Sequence, residues 1–206
     1  MAAEISRFLE NKALAVAFLN RELGAYSRFP APKKLRHSVT QEMKKILLLS
    51  DTHSHMDDVI LKYVEQADEV WHAGDIGNLE VTDTLKKNKL LRAVYGNIDD
   101  DKARMEFPLH NRFFCEGVAV WITHIGGYPG KYNQEIRAEI TKNPPKLFIC
   151  GHSHILKVIY DKKLNLLHMN PGAAGKSGFH QVRTMLRFVI DGETIKDLEI
   201  VELSKK

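Results

Sequence analysis

A chain of 206 residues, 44% hydrophobic and 27% charged, suits one globular domain with a sizeable core. The formal net charge is +4, but residues 1–42 hold seven Lys or Arg against four Asp or Glu, which leaves about +1 for the rest and gives no support to a nucleic-acid partner. No apolar stretch near the start is long enough to cross a membrane, and two cysteines favour reduced thiols in a cytoplasmic protein rather than a disulfide framework.

Residues 1–42 are predicted to form an N-terminal helical extension and linker. An amphipathic helical pattern covers residues 4–20, and the proline-containing stretch 28–34 is typical of a linker. A docking helix or a weak presequence are the alternatives for this segment. Met43 directly precedes the first core strand and is a candidate natural start, so we expect the main domain to span residues 43–206.

The first predicted core strand, residues 45–50, is a run of apolar side chains that ends at Asp51. Four consecutive apolar residues indicate a strand buried on both faces. Asp51 and His53 are two residues apart, so in extended backbone their side chains point the same way. A carboxylate and an imidazole can therefore meet at one cation.

From Met43 onward, predicted strands alternate with predicted helices. The strands are expected at 45–50, 69–72, 90–95, 105–115, 118–123, 146–150, 155–160, 164–168, 182–190 and 194–202, and the helices at 56–66, 79–87 and 131–141. Turn residues at Glu116-Gly117 and Asp191-Gly192 predict two hairpins. Together with the strand-rich second half of the chain, this pattern indicates two packed sheets with helices outside.

Five of these strands are followed at their carboxyl ends by residues that can bind a metal, which is where α/β sheets place ligands. The residues are Asp51, His53, Asp75, Asn97, His124, His152 and His154. The set is too rich in nitrogen for magnesium and lacks the thiolates of a structural zinc site, so a first-row transition metal fits better. Seven ligands exceed the need of one ion with open positions, and two ions sharing one carboxylate is the economical count.

These residues, in the motifs Asp51-x-His53, Gly74-Asp75, Gly96-Asn97-x-Asp99, His124 and Gly151-His152-x-His154, resemble the five motifs of the calcineurin-like metallophosphoesterases. The resemblance implies an α/β fold, a four-layer α/β/β/α sandwich of two mixed β-sheets. The short length, without an inserted cap domain, is similar to the small bacterial YfcE-type phosphodiesterases. The turn at 170–172 also resembles that branch.

The resemblance also implies a role for each motif residue. Asp51, His53 and His154 would hold the first ion, Asp75 would bridge, and Asn97, His124 and His152 would complete the second. Manganese is the first expectation for both ions, with iron, zinc, nickel and cobalt as alternatives. The nucleophile would be a metal-bridging hydroxide. Asn97 and Asp99 are the catalytic candidates, Asp99 by orienting a metal ligand or its neighbours.

The sequence departs from the superfamily at Ile98, where many members carry a histidine that can protonate the leaving group. Loss of a general acid typically removes a factor of about 10²–10⁴, so activity on aryl phosphodiesters should exceed that on alkyl monoesters. His55 and His180 are candidates to replace the acid. His72 and Cys150 are expected to be structural, and no motif supports His37, His110 or His168.

The expected function is therefore hydrolysis of a small phosphodiester, either a cyclic nucleotide or a nucleotide-like ester. A scaffold is the alternative, since a subunit of the retromer complex shares the fold and works by binding partners. A repair-type nuclease is a third option, which the missing basic face disfavours. The expected partner is a small phosphoester substrate, with no nucleic acid and no membrane, and a homo-oligomer is left open.

Overall fold

The computed structural model describes residues 43–205, so the predicted extension at 1–42 lies outside the described residues. Within the described range the chain forms twelve strands and four helices. The strands are β1 (Lys44–Leu49), β2 (Glu69–His72), β3 (Leu90–Ala93), β4 (His110–Cys115), β5 (Val118–Thr123), β6 (Gly127–Tyr128), β7 (Lys131–Tyr132), β8 (Leu147–Ile149), β9 (Leu156–Asp161), β10 (Leu166–Pro171), β11 (Val182–Asp191) and β12 (Thr194–Ser204). The helices are α1 (Asp58–Glu65), α2 (Glu80–Asn88), α3 (Asp101–Glu106) and α4 (Gln134–Lys142).

Ten of these strands form two five-stranded sheets, with the orders β12-β11-β1-β2-β3 and β4-β5-β8-β10-β9. In the first sheet β1, β2 and β3 are parallel, whereas β11 and β12 run antiparallel to their neighbours. The second sheet combines the parallel strands β5, β8 and β10 with antiparallel β4 and β9. Both sheets are therefore mixed, as predicted.

Strand β1 explains how the layers are built. Ile46 and Leu48 pack between the two sheets, whereas Leu47 and Leu49 on the opposite face pack against helices α1 and α2. The uninterrupted apolar run is therefore a strand buried on both faces. On the outside of the second sheet, α4 packs against that sheet's aromatic residues. The four-layer α/β/β/α sandwich is confirmed.

Two local predictions were wrong. The extended segment expected at 105–115 begins instead with α3, which continues to Glu106, and β4 starts at His110. Asp100 caps this helix, since its carboxylate accepts the backbone N–H of Ala103 at 3.0 Å. The helix expected from residue 131 starts at Gln134, after the small hairpin β6–β7.

The carboxyl ends of β1, β2 and β3 from one sheet, and of β5 and β8 from the other, meet at one edge of the sandwich. The loops there are tied together by backbone hydrogen bonds, from Asp51 N to Gly74 O at 2.9 Å and from Gly151 N to His124 O at 3.0 Å. This edge carries the predicted metal ligands. Among residues 43–205, no helix is long and apolar enough to cross a membrane.

Candidate metal centre

The structure brings six of the predicted ligand residues into two groups of three. One group is Asp51, His53 and His154, and the other is Asp75, His124 and His152. Within each group the candidate ligand atoms all lie within 4.8 Å of one another. Residues up to about one hundred positions apart in the chain therefore converge because five strands end at the same edge.

In the first group, His154 Nε2 lies 3.1 Å from Asp51 Oδ1 and 3.3 Å from His53 Nε2. In the second group, His124 Nε2 lies 3.1 Å from Asp75 Oδ1 and 3.1 Å from the amide oxygen of Asn97. Asn97, the seventh predicted ligand, therefore adjoins the second group.

Asp75 connects the two groups. Its Oδ1 faces His124 in the second group, and its Oδ2 lies 3.8 Å from His53 Nε2 in the first. One carboxylate thus presents a different oxygen to each set of imidazoles. This is the arrangement that a ligand shared by two cations requires.

The backbone at this edge is strained. Five of the candidate ligands have a positive backbone φ, which residues other than glycine rarely adopt. They are Asp51 at 55°, His53 at 47°, Asp75 at 53°, His152 at 67° and His154 at 55°. Each such residue typically costs about 1–3 kcal/mol, and strain of this kind clusters at functional sites. Rigid surroundings must therefore hold these side chains in place.

Glycines allow the loops to approach so closely. A Cβ at Gly96 would lie 2.1 Å from Asp75 Oδ1, and one at Gly74 would lie 2.6 Å from His124 Nδ1. Larger residues at either position would displace a candidate ligand.

The two carboxylates of the cluster are almost completely buried, Asp51 at 0% and Asp75 at 3% exposure. Asp51 Oδ2 accepts the N–H of His152 at 3.1 Å, whereas Oδ1 makes no hydrogen bond although His154 Nε2 is near. An unpartnered buried carboxylate oxygen that faces imidazole nitrogens fits a site for a divalent cation.

The charges of the cluster are coupled. Burial acts to raise the pKa of Asp75, but its hydrogen bond and ion pair with His124, the N–H of Ile98 and the charge of His53 together lower that pKa. Burial acts to lower the pKa of His124, and the carboxylates of Asp75 and Asp51 raise it instead. His124 Nδ1 also donates to Ala73 O at 2.7 Å. A proton on His124 Nε2 therefore sits where this nitrogen would bind a cation.

Asp99 lies behind the ligands rather than among them. Its carboxylate accepts three backbone N–H groups, from Gly77 at 2.7 Å, Gly96 at 2.7 Å and Ile76 at 3.1 Å. It thereby fixes the loop that carries Asp75 to the loop that carries Asn97. This geometry favours a positioning role for Asp99.

His72 is wholly buried, as expected for a structural residue. Its Nδ1 accepts the Gly74 N–H at 3.2 Å, and its Nε2 lies 2.9 Å from Thr52 Oγ1. Burial lowers the pKa of His72 to about 4, so the ring is neutral. His72 thus connects the loop after β1, through Thr52, with the loop after β2, through Gly74.

The two candidate proton donors occupy different places. His55 Nε2 is 3.0 Å from Asp57 Oδ2, whereas the ring of His180 lies 5.3 Å from the ring of His154. Cys150 is 1% exposed, and burial raises the pKa of its thiol to about 12, in keeping with a packing role. His110 and His168 bond to Thr123 and Gly127 away from the two groups, and His37 lies outside the described residues.

The segment after β10 borders the first group, a contact that the sequence analysis did not predict. Gly175 donates its N–H to Asp51 O at 3.0 Å, and Gly178 lies against the ring of His154. Three glycines at 172, 175 and 178 were the only local sign of this close approach. Gly175 and Asp51 are more than one hundred residues apart in the chain, so no local pattern identifies their contact.

A comparison with protein families gives the same assignment as the motifs. The family model described as the calcineurin-like phosphoesterase superfamily domain matches residues 43–193. The chain belongs to this superfamily. The match begins at Met43, directly before β1, and contains all seven candidate ligands of the phosphoesterase domain. A search of curated proteins gave no match.

Solved structures share the fold of this phosphoesterase domain. A predicted phosphoesterase from Streptococcus pneumoniae has a TM-score of 0.55 and 21% identity, over 80% of this chain and 91% of its own. An archaeal phosphodiesterase has a TM-score of 0.58 and 21% identity, over 77% and 99%. Zinc-bound Vps29 from Entamoeba histolytica has a TM-score of 0.61 and 14% identity, over 79% and 99%. At these identities the likeness concerns the fold.

Proposed function

We propose that this phosphoesterase domain hydrolyses a small phosphodiester, a cyclic nucleotide or nucleotide-like ester, with a pair of divalent first-row metal ions. Manganese is the first candidate for both. The observation that carries the proposal is Asp75, whose two oxygens face two separate groups of imidazoles. A single-ion site would have no use for this arrangement.

The donor set divides into two sites. Asp51, His53 and His154 would hold the first ion, and Asn97, His124 and His152 the second, with Asp75 common to both. When bound, two such ions lower the pKa of a water and stabilise the charge on phosphoryl oxygens during in-line displacement. The chain itself orients the ligands, through the Ala73 carbonyl for His124 and through the loops that Asp99 clamps.

The third motif supports a diester with a good leaving group. Ile98 directly follows Asn97, and the residue is 48% exposed. Its backbone N–H donates to Asp75 Oδ1 at 3.2 Å, but its side chain has no proton to give. An aryl or similarly acidic leaving group departs without protonation, whereas an alkoxide does not.

Exposed apolar residues adjoin the candidate ligands in the sequence, which supports a substrate with an apolar or aromatic group. Ile125 and Ile155 each follow a candidate ligand directly in sequence, and both are exposed. Phe179, beside Gly178 and His180, is 100% exposed. Exposed apolar side chains at these positions suit the substituents of a phosphodiester better than the second negative charge of a phosphate monoester.

The scaffold alternative is kept because Vps29 proteins share the fold. A scaffold of this kind would need a partner surface but no competent metal centre. Activity measurement discriminates between the two. The protein, stripped with chelator and refilled with manganese, should hydrolyse bis(p-nitrophenyl) phosphate.

Asp75→Asn and His124→Ala should abolish this hydrolysis, because each removes a donor from the second site. Asp197→Asn, an exposed carboxylate far from the ligands in sequence, is the matched control and should remain active. If the manganese-loaded protein is inert towards every phosphodiester and monoester tested, the scaffold function takes the place of the enzyme.

A reducing compartment is proposed for this protein. Cys115 and Cys150 are both buried free thiols; Cys115 is the last residue of β4, and Cys150 directly follows β8. Their state is what a cytoplasmic protein would show. The oligomeric state stays a prediction.

A further inference from the structure

His180 carries a buried nitrogen that has no hydrogen-bond partner among residues 43–205. Its Nε2 lies 3.0 Å from Gly175 O, and since a carbonyl can only accept, Nε2 carries the proton. In the neutral ring Nδ1 is then a lone-pair acceptor. This Nδ1 is inaccessible to solvent and unpartnered. Buried polar atoms of this kind call for an explanation.

The unpartnered nitrogen lies beside His154. The two rings are 5.3 Å apart, edge to face at 74°. Both Nδ1 atoms border the same space at Gly178, since a Cβ there would lie 2.4 Å from His154 Nδ1 and 3.3 Å from His180 Nδ1. Gly178 has no side chain to separate them.

His154 needs an acceptor at Nδ1. Its Nε2 faces Asp51 and His53 in the first group, so Nδ1 must carry the proton whenever Nε2 binds a cation. Histidine ligands almost always donate that second N–H to a partner, which fixes the ring orientation. His124 already does so, through the carbonyl of Ala73. In the described part of the chain, His154 Nδ1 makes no such bond.

We propose that His180 is the positioning residue of His154, with its Nδ1 lone pair accepting the Nδ1–H of His154 when Nε2 binds the first ion. The second site thus uses a backbone carbonyl for its buried histidine, and the first site uses an imidazole from the segment after β10. This inference rests on the metal centre proposed above. It assigns to His180 a role in metal affinity rather than in proton transfer to the leaving group.

Two substitutions separate this role from simple anchoring of the segment. Asn places its amide oxygen where histidine carries Nδ1, whereas Gln places its amide nitrogen near the position of Nε2. His180→Asn therefore keeps the acceptor and loses the bond to Gly175, and His180→Gln does the reverse. Manganese chloride titrated calorimetrically into the full chain should give two binding steps. His110→Gln is the control for loss of a histidine away from the ligands.

We expect His180→Gln to weaken one of the two steps by about 10–100-fold, the usual effect of losing such a partner. His180→Asn and His110→Gln should stay close to wild type. The reverse order of Asn and Gln would mean that the ring anchors the segment through Gly175, and would overturn the inference. Equal behaviour of the two variants would overturn it as well.

The metal proposal and this inference fail differently. Wild-type protein that binds no manganese would remove both. Wild-type protein that binds two ions, with neither step changed in His180→Gln, would leave the metal centre intact and remove only the role of His180.

Discussion

Asp75→Asn is the substitution that most directly tests whether the two groups of ligands act as one centre. The variant keeps the size of the side chain but removes its charge and one of its two oxygens. With free manganese at about 100 times Kd, each ion that binds only the folded state raises the free energy of unfolding by about 2.7 kcal/mol. A chain of 206 residues gains about 2–4 °C in Tm per kcal/mol. Each occupied site should therefore raise Tm by about 5–10 °C.

The assay compares Tm in chelator with Tm in manganese. Asp75→Asn should lose most of the shift, because one oxygen faces each group. Its Tm in chelator should also fall with the loss of the His124 pair, so the shift and not the absolute Tm is compared. Asp197→Asn is matched, since Asp75 and Asp197 both have a φ of 53°. A full manganese shift in Asp75→Asn would refute the shared-ligand arrangement.

Three further outcomes are expected. Gly96→Ala should lower manganese affinity, because the new Cβ would lie 2.1 Å from Asp75 Oδ1. The same close contact should lower the free energy of unfolding by about 1–3 kcal/mol. Gly130→Ala is the control: no atom lies within 4 Å of its Cβ, so it should only strain the left-handed backbone and keep manganese affinity. Ile98→His should raise kcat on alkyl esters more than on aryl esters, and an equal change on both would contradict the missing-acid argument. Burial lowers the pKa of His168 from 6.5 to about 4. As the pH falls from 6.5 to about 4, the unfolded chain therefore binds a proton at His168 that the folded protein does not, and the free energy of unfolding decreases. Urea titrations should give His168→Leu a pH slope smaller by about 1.4 kcal/mol per pH unit there, and an unchanged slope would refute the assignment.

The sequence allowed the fold and the ligand set to be predicted because both depend on strands. Apolar runs such as residues 46–49 identify a strand buried on both faces, and the polar residue that ends each run marks the sheet edge. Five strands that end in candidate ligands predict a single site, even when the order of the strands in the sheets is not known. Helix α3 was missed although Asp100 offered a capping signal, because the residues after it lack a strong apolar stripe.

The contacts between loops that are distant in the chain could not be predicted from the sequence. Gly178 and His154 meet because β10 and β8 are neighbours and β11 returns beside β1, and no local pattern encodes that approach. The choice between His55 and His180 as neighbours of the ligands also required coordinates. His55 is held by Asp57, a helix cap that is itself paired with Arg183, whereas His180 faces the ligands.

The fold alone does not separate an enzyme from a scaffold, but the energetic cost of the site supports a functional metal centre. Five non-glycine ligands in left-handed backbone, at about 1–3 kcal/mol each, and two almost completely buried carboxylates are expensive features. A partner-binding surface needs none of them, since it requires only exposed complementary groups. A pair of bound cations would offset this cost by neutralising the buried charge. Of the nine non-glycine residues with positive φ among residues 43–205, five are candidate ligands and a sixth, Ser54, adjoins one, so this strain clusters at the edge that would hold the ions.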